Sequence, residues 1–71
     1  MKYAIIKVIN GNFFVDSEGY TSVKNAKPQY FDVCKALNAA PDVVTASIKI
    51  IDEYQNCQEG YEEIINNEVH V

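Results

Sequence analysis

The chain has 71 residues, 48% of them hydrophobic and 23% charged, close to the averages of globular proteins and far from the polar signature of a disordered segment. Six Lys stand against ten acids with no Arg at all, a formal net charge of −4, which weighs against a nucleic-acid binder that must displace counterions from phosphates with a basic face. The apolar run at residues 3–6 is too short for a signal core and nothing reaches membrane-spanning length, so the expectation is a cytoplasmic chain forming a single domain over residues 1–71.

KYAIIKVI, residues 2–9, is rich in β-branched and aromatic side chains, and Asn10-Gly11 separates it from NFFVD. Asn-Gly suits a two-residue turn whose central residues both take positive φ, so a hairpin is expected. Residues 17–25 are polar and punctuated by Gly19, reading as turn and loop, with an extension of the second strand through residues 20–23 as the alternative. Asn25 is placed to cap a helix by accepting a backbone N–H bond, and Pro28 suits the first turn, where its missing donor costs nothing. Along AKPQYFDVCKALNAA, residues Tyr30, Phe31, Cys34, Leu37 and Ala40 recur at three- and four-residue spacing, giving one buried stripe that ends by Pro41.

VVTASIKII, residues 43–51, places Val44, Ala46, Ile48 and Ile50 on one face and Val43, Thr45, Ser47, Lys49 and Ile51 on the other, the period of a strand. In CQEGYEEIINN, the positions Tyr61, Ile64 and Ile65 share one face of a short C-terminal helix, with Glu59, Glu62 and Glu63 near its start, where the macrodipole favours negative charge. A fourth strand over residues 62–71 is the alternative.

The order β-β-α-β with a final short helix or fourth strand predicts a two-layer α+β fold, a mainly antiparallel sheet with one main helix across one face. Ala4, Ile6 and Val8 with Val44, Ala46, Ile48 and Ile50 are expected to meet the helical stripe. The other sheet face then carries Tyr3, Ile5, Ile9, Val43 and Ile51 among Lys7, Thr45, Ser47 and Lys49, more apolar than a solvated face usually is. The last element or a second copy of the chain is expected to cover it.

Residues 1–51 hold all six Lys and four acids, whereas residues 52–71 hold six acids and no Lys. Asp52, Glu53 and Glu59 offer hard oxygen ligands, but the segment lacks the alternating acids, central Gly and terminal Glu of a calcium loop, so no metal is expected. Cys57 as a nucleophile would need His70, one residue from the end of the sequence given, and Cys34 lies on the apolar stripe as a small hydrophobe. With two Cys and no CxxC pair, a reduced setting is expected. No phosphate loop or dinucleotide fingerprint occurs among three glycines.

No catalytic residue or cofactor is therefore assigned. The sequence points to a small non-enzymatic protein acting through protein contact, as a homo-oligomer or as an adaptor or inhibitor of a larger partner. Its contact residues are expected to be Tyr3, Ile5, Ile51, Asp52, Glu53 and Tyr54, a mixed acidic and aromatic patch at the edge of a semi-apolar face. The alternative is a nucleic-acid-linked regulator, a weak direct binder or an acidic DNA mimic. No membrane role is expected.

Overall fold

The computed structural model describes residues 1–67. Strands β1 (Tyr3–Ile9), β2 (Asn12–Tyr20), β3 (Thr45–Asp52) and β4 (Cys57–Asn66) form one sheet in the order β2-β1-β3-β4, and helix α1 (Val23–Ala39) packs on one of its faces. Every neighbouring pair is antiparallel, so this is a small α+β fold. β2 and β3 consequently run parallel with β1 between them, and α1 supplies the long crossover that parallel strands require.

The Asn-Gly turn forms as its chemistry dictates, with Asn10 at φ 50 and Gly11 at φ 85. Helix α1 starts earlier than expected: Ser22, not Asn25, is the N-cap, its hydroxyl oxygen accepting from the Asn25 backbone N–H at 3.1 Å. Ser is as good a cap as Asn, and starting there lets Val23 and Ala26 join the core. Pro28 then falls inside the helix and not in its first turn. It removes the bond to the carbonyl of Lys24, an exposed residue that water can satisfy. The buried stripe is Ala26, Tyr30, Val33, Cys34 and Leu37. Phe31 is off it and exposed, resting edge-on against Tyr30 at 5.4 Å.

The final element is the strand alternative, beginning at Cys57 and not at residue 62, and the short C-terminal helix does not form. Ile65 turns into the core while Ile64 faces out, the alternation of a strand. The physical reason lies in β3, whose Ile48 and Ile50 are fully buried. A central strand needs hydrogen-bonding partners on both sides, and β4 supplies the second set. The part of the expected strand beyond residue 67 lies outside the described residues.

In β3 the facing is as read for Ala46, Ile48 and Ile50, while Val44 precedes the strand and is exposed. In β1 the parity is reversed. Ile5 is 0% exposed and pairs with Ile50, and Ile9 pairs with Ala46, so Tyr3, Ile5, Lys7 and Ile9 face the helix. Ala4, Ile6 and Val8 face away. This parity buries Ile5 and also brings Lys7 to the helix side, where its ammonium meets Asp16 at 3.0 Å, the charged head reaching a partner while its stem lies on apolar surface. The Asp16 carboxylate also accepts from Gln29 of α1 and from the Ser17 hydroxyl.

Candidate functional site

The reversal leaves the sheet face away from α1 lined by Ala4, Ile6 and Val8 of β1, Phe13 and Val15 of β2, and Ile51 of β3. These residues are joined by the cross-strand pairs Ile6 with Val15, Val8 with Phe13 and Ala4 with Ile51. Phe13 is 62% exposed and Val15 52%, although both are β-strand residues whose other neighbours are apolar. Ala4, Ile6, Phe13, Val15 and Ile51 line a groove of about 450 Å³ together with Glu18 and Gln55. The β3–β4 half of the same face is more polar. Thr45, Ser47, Lys49 and Glu62 stand there with Ile64, which is 71% exposed, and Lys49 meets Glu62 at 3.2 Å. Among the described residues the face thus has an apolar half and a polar half, and the strands place Glu18, Lys49 and Glu62 on it.

The expected contact residues do not come together as one surface. Ile5 is fully buried beneath α1, and Tyr3 packs against the same core. Ile51 belongs to the opposite, open face. Tyr3 is paired with Asp52 across β1 and β3, and with Lys2, Ala4, Glu18, Gly19 and Glu53 these two line a shallow groove of about 370 Å³ at the sheet's end. Tyr54 stands 71% exposed at the tip of the β3–β4 turn.

Asp52 has a structural task. One carboxylate oxygen accepts from the backbone N–H groups of Tyr54 and Asn56, both at 2.9 Å, and its carbonyl accepts from Gln55 at 3.0 Å. Gln55 sits at φ 68 to complete the bend. An aspartate that caps its own turn in this way is the local chemistry expected of an acid between two strands. The N–H of Asn56 acts most strongly on the Asp52 carboxyl, and with the Tyr54 N–H and the side chains of Asn56 and Gln58 it holds the group below the usual range against desolvation, which pushes upward.

The remaining titratable groups with altered acidity serve packing. Burial pushes the Tyr30 phenol and the Cys34 thiol up, so both stay neutral within the core. For Asp16, burial pushes upward, but the Lys7 bond, the Gln29 and Ser17 bonds and the Lys7 charge together outweigh it and the carboxyl lies below its ordinary value. Among the described residues no three His, Cys, Asp or Glu side chains gather in a way that could hold a metal ion. No helix among them is long and apolar enough to cross a membrane.

Sequence reasoning missed Phe13 and Val15 as surface residues. The available signal was Phe13-Phe14-Val15 itself: three successive apolar residues in a strand must put at least one on each face. Both edges of the sheet are interrupted. β2 carries extra residues at Asp16 and Gly19, where the register with β1 shifts, and β4 is irregular opposite Lys49 and Ile51 around Gly60. Gly60 takes φ 84, which an L side chain adopts only with strain. Such bulges blunt an edge against adding another strand. Comparison with protein-family models, with curated proteins and with solved structures gives no match for this chain.

Proposed function

We propose that this chain is a non-enzymatic protein-contact module working through the open face of its sheet, with Ile6, Phe13, Val15 and Ile51 at the centre of the contact. The observation that carries this reading is the run of apolar side chains along β1 and β2 on the face without a helix, with Phe13 62% exposed. Large apolar side chains left exposed side by side on a strand face gain by being covered, and contiguous exposed apolar patches mark interaction sites. Both edges being blunted, the face and not an edge is the surface through which a partner docks. Cys34 and Cys57 are free thiols, which supports a reducing, cytoplasmic setting.

Site-specific photo-crosslinking in cells that express the full chain tests the reading. A photoreactive residue in place of Phe13 should trap a protein, and one in place of Asp32, on the exposed side of α1, should not. Equal trapping at both positions, or trapping at residue 32 alone, would overturn it.

A further inference from the structure

Of the Asn residues in the sequence, only Asn10 is followed by Gly. Such a pair is where a polypeptide most readily hydrolyses its own side chain, because no Cβ on the following residue shields its backbone nitrogen. We infer that Asn10 is a self-modification site of this chain, held unreactive by the segment between α1 and β3, and that its conversion to isoaspartate unfastens that segment.

In the reaction the Gly11 backbone nitrogen, having given its proton to hydroxide, attacks Cγ of Asn10. The new C–N bond closes a five-membered imide, and the side-chain nitrogen leaves as ammonia, taking a proton from water. Water then opens the imide. Breaking the bond to Cγ leaves aspartate, whereas breaking the bond to the main-chain carbonyl carbon leaves the chain running through Cβ, as isoaspartate.

Two features of the fold hold the first step back. Positive φ at both Asn10 and Gly11, in a two-residue loop between the paired Ile9 and Asn12, makes the turn type I′. In such a turn ψ of the first central residue is also positive, which sets the Gly11 nitrogen nearly opposite Asn10 Cβ, whereas ring closure needs the two nearly eclipsed. The carboxamide is also engaged at both ends. Its oxygen accepts from the N–H groups of Val44 and Thr45, and its nitrogen donates to the Asp42 carbonyl. Bringing Cγ onto the Gly11 nitrogen turns the backbone and breaks all three bonds. Each is worth up to about tenfold in the opening equilibrium, so the reaction proceeds from rare, locally opened chains. Bulk does not shield the site: Asn10 and Gly11 are exposed, and among the described residues nothing lies within 4 Å of where a Cβ on Gly11 would stand.

The product loses the fastening. Isoaspartate adds a backbone atom to the loop and carries its carboxylate on Cα, so the two-residue geometry and the carboxamide bonds go together. The bond from the Asn10 N–H to the Thr45 carbonyl belongs to the same turn. Aspartate is the milder product: its carboxylate still accepts from Val44 and Thr45, but the Asp42 carbonyl loses its donor and faces a negative charge.

Incubating the purified full chain in mildly alkaline buffer, beside a synthetic peptide of residues 8–24, tests the inference. Digestion and tandem mass spectrometry locate the small mass gain of each lost amide, and chromatography separates the isoaspartate form. The gain should fall first on residue 10, and the folded chain should convert at least about tenfold more slowly than the peptide. In unfolding urea the two rates should converge. Chains isolated with isoaspartate at residue 10 should unfold at lower urea than the parent, with Asn10→Asp between them. Equal rates in folded chain and peptide overturn the protection by the fold. Conversion at another Asn before Asn10, or none at residue 10 in unfolding urea, overturns the site. Isoaspartate chains as stable as the parent overturn the unfastening.

Discussion

The side-chain oxygen of Asn10 accepts a 2.8 Å hydrogen bond from the backbone N–H of Val44, 34 residues away. The same oxygen accepts from Thr45 at 3.1 Å, while the Asn10 amide donates to the Asp42 carbonyl at 3.0 Å. One turn residue therefore shapes the first hairpin and fastens the segment between α1 and β3. Asn10→Gly keeps the positive φ and removes only the side-chain bonds, and it should cost roughly 1–3 kcal/mol. Asn10→Ala should cost about 1–2 kcal/mol more, because Ala resists the left-handed conformation. Urea unfolding of the two variants separates the roles; an Asn10→Gly variant as stable as the parent would show that the brace contributes nothing, and equal losses in both variants that the positive φ costs nothing.

Lys7 and Asp16 make the inner face of the sheet pH-sensitive. The folded Asp16 carboxyl lies below its unfolded value, so its contribution is present above about pH 4 and declines as pH falls through the folded value. Lys7→Met leaves a carboxylate whose burial is no longer offset by a cation. That variant should lose roughly 1–3 kcal/mol at neutral pH, with the deficit shrinking on acidification as Asp16 takes a proton. Thermal unfolding between pH 3 and 7 or so reads this directly, and parallel curves for the two proteins would contradict it.

Asp52 separates turn from contact. Asp52→Asn keeps an oxygen that can accept from Tyr54 and Asn56, so the melting temperature should change little. Asp52→Ala removes that acceptor and should lower it clearly. Glu53→Gln has no such bond to lose and should melt as the parent does. If Asp52→Asn proves as damaging as Asp52→Ala, the charge and not the turn geometry is what the position requires.

At the fully buried Ile48, truncation to Ala should cost about 2–5 kcal/mol, and to Val about 0.5–1.5 kcal/mol. Ile64→Ala, a similar truncation on the neighbouring strand but on the open face, should cost the monomer far less. Denaturant titration at low chain concentration keeps association out of the comparison.

What was legible in the sequence was whatever local chemistry decides. Asn10-Gly11 announced its turn, the spacing of Tyr30, Cys34 and Leu37 announced a helix, and the alternation at Ala46, Ile48 and Ile50 announced a strand with the correct face inward. What escaped was settled by tertiary partners. β1 is apolar on both faces, so its own sequence does not fix its parity, and only the Asp16 partner makes an inward Lys7 tolerable. Ile64 and Ile65 fit a helix or a strand by spacing alone, and the unpaired side of β3 chose the strand. The exposed apolar surface differs from the expected one for the same reason: reversing β1 buries Ile5 and places Ile6 with Phe13 and Val15 on the open face.

The strand order also dictates how the chain must assemble in time. β1 with β2 and β3 with β4 are each local hairpins, bounded by the Asn10-Gly11 turn and the Asp52 turn, and both can form within a few residues of their bends. The seam between β1 and β3 joins positions such as Ile5 and Ile50 that are far apart in the chain, so its loop-closure entropy falls on the middle of the sheet. The expected route is a docking of the two hairpins under α1. Its rate should depend on Ile5 and Ile50 far more than on either turn.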